Sequence, residues 1–447
     1  MVDFKGIRDF VGDSEGAYPP VFAGRRAELE ALSYAAGDTW RRFRKMDSSH
    51  LSKRTRIVHG APGAGKSTLL RELARHLHAA EAETGQPRLL YTTSADFSQN
   101  TCKILARLEN LARLDADSWR ERLKSVASRV SWSANLGPLG ASLDSGNPLP
   151  GRPRNIGELE DRLPAERWQA PVVLAIDEFQ NIAGSPRLPE LRETLQSLHE
   201  AGFGLPVLLV VAGLGNTPAI AGEAGLTRGL TKIGIGCLEA EEARGLVRGW
   251  CRHFGIEPKG HDARLDKLTG STDGWPRHLH FALQALADGL LGPGVKGRLS
   301  EVDWSCVMDR NLQLRLDYYR DQQSPEMRDS AYLVGAVLRG LELDNSRGGV
   351  KNSIRRMAGS QLDTRWDLPA GMDVDEFAGH LIHRGALQED DNGEVMCPIP
   401  SFRSFLVERG EPVPELEHKP PAPEPKPVDQ NLLRYDDTSD SPSPGGW

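Results

Sequence analysis

The nine residues GAPGAGKST, at positions 60–68, combine three closely spaced glycines with a lysine and two hydroxyl side chains. Glycine lets the backbone wrap closely around a polyphosphate so that its N–H groups point inward, and a helix starting here adds its positive N-terminal end. Lys66 would neutralise the terminal phosphates and Ser67 would bind magnesium. The stretch predicts a phosphate-binding loop made of Gly60, Ala61, Pro62, Gly63, Ala64, Gly65, Lys66, Ser67 and Thr68.

A second motif, PVVLAIDEFQ at 171–180, places two acids at the end of an apolar run. Such a run is typical of a strand buried on both faces of a parallel sheet, and an acid at its carboxyl end faces the ligand crevice. Asp177 is expected to hold Mg²⁺, and Glu178 to orient or deprotonate the attacking water. The pair favours hydrolysis over transfer of a phosphoryl group to another substrate.

Several β-prone segments alternate with helical patterns along the first half of the chain. One run, 55–59, leads into the loop, and others occupy 88–94, 206–217 and 231–238. Strands that alternate with helices indicate an α/β fold with a parallel sheet.

Five segments occur in the order found in AAA+ ATPases: VFAGRRAELEAL at 21–32, the phosphate-binding loop, AIDEFQ, VVAGLGNTP and GWPR. The sequences of these segments resemble those of the origin-recognition and STAND branch of that family, and the resemblance covers about residues 20–410. The resemblance implies a P-loop parallel-sheet AAA+ core, followed by a helical lid and a small winged-helix domain. It also implies ATP and Mg²⁺ as ligands and an Mg²⁺-dependent ATPase activity.

The same resemblance assigns roles to further residues. Phe22, Gly24 and Arg25 would lie against the adenine. Asn216 would be a first sensor of the γ-phosphate, although a plain turn asparagine is an equal alternative. The resemblance implies oligomers in which a neighbour's arginine completes each site; Arg228 stands where such a residue would lie, or is an ordinary solvated arginine.

The segment GWPRHLHF, at 274–281, predicts the start of a helix because Pro276 suits a first helical turn. An apolar stripe follows at Leu279, Ala282, Leu283, Leu286 and Leu290, and the preceding helix has another at Ala243, Leu246, Val247, Trp250 and Phe254. Arg277 lies about 160° from the first stripe, so it faces solvent or another body across a gap. The resemblance identifies Pro276 and Arg277 as a second-sensor motif that reaches over the nucleotide.

The region from about 325 to 410 reads as three helices and a hairpin turning at Asn392-Gly393, the order of a winged helix. From Pro325 to Gly410 it has ten Lys and Arg against fourteen Asp and Glu. This charge favours protein contact or intramolecular regulation over reading of a DNA groove. The basic segment WRRFRKMDSSHLSKRTR, ending at 56, offers a possible DNA patch at 41–56, or a solvated helix end whose aromatics pack inward.

These observations predict an N-terminal extension (1–20), a nucleotide-binding domain (21–238, with an insert or loop at 131–156), a helical lid (239–322), a winged helix (323–410) and a proline-rich tail (411–447). The net charge is −7, the five cysteines are scattered, and no segment is apolar enough for a membrane span or signal peptide. A zinc site, a disulfide framework and a membrane partner are therefore not expected. We expect a cytoplasmic location.

The sequence predicts an ATP-driven switch that assembles with itself or a partner and acts in a DNA transaction or in cellular defence. The alternative is a regulatory scaffold that binds nucleotide, hydrolyses it weakly, and works through protein contacts of the winged helix and the tail.

Overall fold

The computed structural model describes residues 2–12, 21–45, 55–79, 87–114, 152–183, 185–200, 205–227, 229–343, 349–358, 367–389 and 395–409. Several predicted features lie outside these residues: Arg228, the turn at Asn392-Gly393, residues 46–54 of the basic segment, most of the 131–156 insert, and the tail.

Five parallel strands form the central sheet, in the order β2-β3-β4-β1-β5. They are β1 (Thr55–His59), β2 (Arg88–Thr93), β3 (Val172–Asp177), β4 (Val207–Gly213) and β5 (Leu230–Gly234). Every residue of β3 and β4 is buried, as their unbroken apolar sequences predict. Because β4 pairs with both β1 and β3, the phosphate-binding loop, the acid pair and the segment after β4 all leave the sheet at one edge.

Helices cover both faces of the sheet. Leu69, Leu70 and Leu73 pack on one face, and Ile104 and Leu108 on the other. The helices of this layer are α2 (Arg26–Lys45), α3 (Lys66–Ala79), α4 (Ser94–Gln99), α5 (Thr101–Arg113), α6 (Ile156–Arg162), α7 (Leu188–Glu200) and α8 (Thr217–Glu223), with α1 (Phe4–Gly12) preceding them. The predicted alternation of strands and helices is therefore present.

Four helices follow the sheet: α9 (Ala240–His253), α10 (Asp262–Gly270), α11 (Pro276–Leu290) and α12 (Trp304–Gln322). Both predicted apolar stripes are buried, and on α11 burial extends to His278, Phe281 and Gln284. The N-terminal helix α1 also packs here, with the Phe10 ring 5.5 Å from that of Trp250. The start of the chain thus shares a hydrophobic core with the lid.

The C-terminal region, residues 325–409, contains α13 (Pro325–Asp329), α14 (Ala331–Leu343), α15 (Gly349–Ala358), α16 (Val374–His383), the antiparallel pair β6 (Gln388–Glu389) and β7 (Val395–Met396), and α17 (Phe402–Arg409). Asp373 caps α16 by accepting the backbone N–H groups of Asp375 and Glu376. The first predicted helix is divided at Ser330. The sequence did not predict α17, because its buried residues Phe402, Phe405 and Leu406 are too few to form a long periodic pattern.

The long helix α12 joins the lid to the C-terminal region. The Tyr319 hydroxyl donates to the Pro400 carbonyl at 3.0 Å, and its ring stacks on Phe402. The Arg315 guanidinium donates to the Ser271 carbonyl and to the Ser401 hydroxyl. In the part of the chain that the structure describes, no helix combines the length and apolarity that crossing a bilayer requires.

Candidate functional site

The phosphate-binding loop connects β1 to α3, and its lysine is already held in place. Gly63 and Gly65 have φ angles of 84° and 93°, which glycine adopts without strain. The buried Lys66 ammonium donates to the carbonyls of Gly60 and Ala61 at 2.9 and 3.0 Å. Burial lowers the pKa of Lys66, while Asp177 and Glu178 oppose the shift. An anionic phosphate would supply the charge partner that this buried cation favours.

The two acids after β3 have different surroundings. Asp177 is buried and accepts the Tyr91 hydroxyl at 2.8 Å and the Glu178 N–H at 2.9 Å. Burial, together with the charge of Asp177, raises the pKa of Tyr91 far above its ordinary value, so this hydroxyl stays a donor. Glu178 is exposed to the cavity and has a left-handed backbone, with φ of 55°. The Asp177 carboxylate is thus held in one orientation by two hydrogen bonds, whereas the Glu178 side chain is accessible to solvent.

The side chains at this edge suit magnesium. The Ser67 hydroxyl lines the cavity, and Asp177 offers carboxylate oxygens positioned by Tyr91. Mg²⁺ prefers oxygen ligands, and it is usually held by one or two protein groups together with phosphate oxygens and water. No group of three or more potential metal-binding side chains occurs among the described residues. Ser67 and Asp177 alone therefore leave most magnesium ligands to the nucleotide's phosphate oxygens and to water.

A cavity of about 590 Å³ joins the loop to the rest of the site. Of the predicted nucleotide-binding residues, its wall contains Phe22, Arg25, Pro62, Gly63, Ala64, Gly65, Lys66, Ser67, Thr68, Pro276 and Arg277, with Glu178 beside them. Apolar residues from the 21–25 segment, the end of the sheet domain and the lid helices also line it: Val21, Ala23, Leu238, Leu246 and Leu283. Convergent polar groups beside an apolar wall are the usual makeup of a ligand pocket.

The lid helix α11 begins directly against the phosphate-binding loop. A β-carbon added to Gly63 would lie 2.8 Å from the Arg277 β-carbon, so a glycine is needed for this approach. The Arg277 guanidinium lies over the Phe281 ring, 5.0 Å from its centroid, and is half-buried in the cavity wall. Arg277 therefore lies in the cavity wall beside the phosphate-binding loop.

Some predicted residues lie away from the cavity wall. Gly60 and Ala61 form the start of the loop, Gly24 has a φ of 74° before α2, and Asp177 is buried at the end of β3. Asn216 precedes α8, and its buried Oδ1 has no hydrogen-bond partner among the described residues. At the end of β4 it is Leu214, with Gln180 and Asn181 from the neighbouring strand end, that faces the cavity.

The cavity also contains residues that the sequence analysis did not select. His383 and Arg384, at the end of α16, lie in the wall together with His280 and Gln322. Burial and Arg384 lower the pKa of His383, and Glu178 opposes the shift. No sequence signal marks His383, Arg384 or Gln322, which lie on or at the end of helices without a motif; His280 lies within GWPRHLHF, but nothing in that segment distinguishes it from the other polar residues.

The C-terminal region contacts the phosphate-binding loop itself. A β-carbon at Gly385 would lie 2.8 Å from Pro62 Cδ and 3.4 Å from Ala61 Cβ. From α12, the Tyr318 hydroxyl donates to the Pro62 carbonyl at 3.0 Å. The loop is therefore packed against both the lid and the C-terminal region.

Comparisons with known proteins agree with this architecture. Residues 21–210 match the family described as AAA ATPase domain. The structure is similar to that of the Aeropyrum pernix ORC2 protein, solved as ADPNP–ADP complexes, with a TM-score of 0.51 and 14% identity over 90% of this chain and 96% of that one. Weaker similarity, with TM-scores of 0.42, extends to Aeropyrum pernix ORC1 in complex with DNA (15% identity, 90% and 95% covered) and to Cdc6p from Pyrobaculum aerophilum (13% identity, 88% and 95% covered). No curated protein sequence matches this chain significantly.

The sequence match and the fold lead to the same assignment. A phosphate-binding loop follows the first strand of a five-stranded parallel sheet, four helices and a C-terminal region follow the sheet, and the similarity to the ORC2 protein extends over 90% of this chain and 96% of that one. Residues 21–210 therefore match the AAA ATPase domain family, and the chain has an α/β AAA+ P-loop fold similar to that of the ORC2 protein, as its sequence predicts.

Proposed function

We propose that this protein is an ATP-hydrolysing conformational switch. The observation that carries the proposal is a cavity whose wall combines the phosphate-binding loop, Glu178, the lid residue Arg277, and His383 and Arg384 of the C-terminal region. A nucleotide bound there would touch three parts of the molecule at once. Their relative arrangement would then depend on whether ATP or ADP is bound.

In this proposal each side chain has a defined task. Lys66 neutralises the phosphates, Phe22 and Arg25 contact the adenine side, and Arg277 approaches the γ-phosphate from the lid. Glu178 takes a proton from water as the water oxygen bonds to the γ-phosphorus and the bond to the ADP oxygen breaks. Mg²⁺, held by Ser67 and Asp177, would neutralise charge on the phosphate oxygens.

Measurement of ATP turnover tests the proposal. Glu178→Gln keeps the size of the side chain and removes the base, so turnover should fall about 100- to 10,000-fold, while nucleotide affinity stays close to that of the wild type. Lys66→Ala is the matched control for binding, since it should weaken affinity for both ATP and ADP. A wild-type protein that hydrolyses ATP no faster than Glu178→Gln would reject the enzymatic function.

That last result would favour the second candidate, a regulatory scaffold with weak hydrolysis. The contact of Gly385 and Tyr318 with Pro62 favours it, because this contact already links the loop to the C-terminal region without chemistry. Nucleotide binding alone would then alter the surface offered to a protein partner.

The process and partners belong to the same proposal. We propose that the switch assembles with itself or with another protein, and acts in a DNA transaction or in defence; the solved structure of an ORC1 protein with DNA concerns that protein only.

A basic surface is present at the end of α2, where Arg41 lies over the exposed Tyr34 ring and Arg44 over Trp40. Asp38 pairs with Arg41 and Arg42, which reduces the positive charge available for DNA, and the buried Phe43 ring is not available for stacking on bases.

A further inference from the structure

We propose that Gln180 is a positioning residue for hydrolysis, which holds the Glu178 carboxylate in the orientation that activates water. This inference rests on the proposed ATPase function and extends it to a residue that the sequence analysis left without a role. Gln180 lies in the turn after β3, is only 8% exposed, and forms part of the cavity wall.

Two hydrogen bonds fix the Gln180 side chain in one orientation. Its Oε1 accepts the backbone N–H of Leu214 at 3.2 Å, and its Nε2 donates to Glu178 Oε2. A backbone N–H can only donate, so the amide oxygen must face Leu214 and the amide NH₂ must face the carboxylate. The amide therefore links the end of β4 to Glu178 in a defined direction.

The end of β4 has a shape that admits this side chain. A β-carbon at Gly213 would lie 2.6 Å from Gln180 Oε1 and 2.3 Å from Thr217 Oγ1, so any larger residue would displace the amide. Gly213 does not have a positive φ, so this glycine is required for space rather than for backbone freedom.

Glu178 needs such a tether more than Asp177 does. Its backbone is held, because its carbonyl accepts the Ser94 hydroxyl at 2.7 Å and its N–H donates to Asp177. Its side chain, however, projects into an open cavity, where an untethered carboxylate would populate several rotamers. The bond from Gln180 occupies Oε2 and leaves Oε1 to accept a proton from water.

Two substitutions separate the two hydrogen bonds. Gln180→Glu keeps the oxygen that accepts from Leu214 and loses the donor to Glu178, whereas Gln180→Leu loses both. We expect turnover to fall about 10- to 100-fold in both variants, the size typical of a misplaced catalytic group, with KM and ATP affinity within about threefold of the wild type. In a Glu178→Gln background, neither change should lower the residual turnover further, because Gln180 acts through Glu178.

Hydrogen–deuterium exchange gives a readout that does not depend on activity. Exchange at the Leu214 amide should rise in Gln180→Leu and stay unchanged in Gln180→Glu, with β1 as an internal reference. If Gln180→Leu does not fold, Gln180→Glu alone still carries the kinetic test. Wild-type turnover in Gln180→Glu, or an equal loss when Glu178 is already replaced, would overturn the inference. A wild type no faster than Glu178→Gln would instead reject the proposed ATPase function, and the two failures are therefore distinguishable.

Discussion

Replacing Gly385 with alanine should loosen the contact between the C-terminal region and the phosphate-binding loop. Gly385 has a φ of 71°, and an added β-carbon would lie 2.8 Å from both Pro62 Cδ and Ile399 Cδ1. Carbon atoms in favourable contact are about 3.5–4.0 Å apart, so the alanine methyl group would overlap both neighbours. A movement of the C-terminal region away from Pro62 relieves the first overlap, and a rotation of the Ile399 side chain within the same region relieves the second.

The size of the effect follows from two separate costs. A left-handed backbone costs alanine about 1–2 kcal/mol, and overpacking typically adds about 1–3 kcal/mol. Gly371 provides a matched control in the same region, since its φ is 82° and an added β-carbon meets no atom within 4 Å. Gly371→Ala carries only the backbone cost, so the difference between the two variants gives the combined cost of the overlaps with Pro62 and Ile399.

The rate at which a fluorescent ADP analogue dissociates is the assay. Because His383 and Arg384 line the cavity next to this contact, loosening by about 1.4 kcal/mol should speed release about tenfold in Gly385→Ala. Hydrogen exchange in α16 should rise in parallel. Equal release rates for Gly385→Ala and Gly371→Ala would refute the idea that the C-terminal region helps to close the cavity.

Two further predictions concern the lid. Arg277→Ala should reduce the ratio of ATP affinity to ADP affinity about 10- to 100-fold, which is the contribution of one charge-assisted hydrogen bond. Arg244→Ala, which removes a surface arginine paired with Glu241, should leave this ratio unchanged. If calorimetry gives the same ratio for Arg277→Ala and the wild type, Arg277 does not distinguish ATP from ADP. Burial lowers the pKa of His278 from 6.5 to about 3, so the folded protein keeps this ring neutral while the unfolded chain takes up a proton below pH 6.5. The free energy of unfolding should therefore fall as pH drops from 6.5 towards 3, by about 2 kcal/mol at pH 5. His278→Gln should make the free energy of unfolding, measured in urea, less dependent on pH over this range. The same pH dependence in His278→Gln and the wild type would contradict a neutral, buried His278.

The parts of the site that the sequence predicted are those formed by adjacent residues. The phosphate-binding loop and the Asp177-Glu178 pair each follow a strand, and parallel strands bring their carboxyl ends to one edge. The start of α11 was predictable for the same reason, since Pro276 and the apolar stripe fix both the helix and the side of Arg277. In these cases local chemistry determines the position of the side chain.

The missed residues depend on contacts between distant segments. Gln180 stands within the quoted motif, but its role depends on the distance to Leu214 and on the absence of a side chain at Gly213. His383 lies at the end of an ordinary amphipathic helix, and only the packing of Gly385 on Pro62 brings it to the cavity. Periodicity predicts which face of a helix is buried, and it does not predict which other domain covers that face.

The packing around Pro62 and Gly63 also limits how a nucleotide can act. Pro62 touches Gly385 and accepts the Tyr318 hydroxyl, and the next residue, Gly63, touches Arg277. A shift of this loop on binding phosphates therefore changes the contacts of the lid and the C-terminal region together. Linkage is reciprocal, so a nucleotide that strengthens this packing is itself bound more tightly by the packed arrangement. Such a nucleotide should bind more weakly when the packed arrangement is destabilised. The Gly385→Ala variant should consequently lose more affinity for the nucleotide that favours this arrangement than for the other, so a comparison of its ATP and ADP affinities identifies the nucleotide state of the packed molecule.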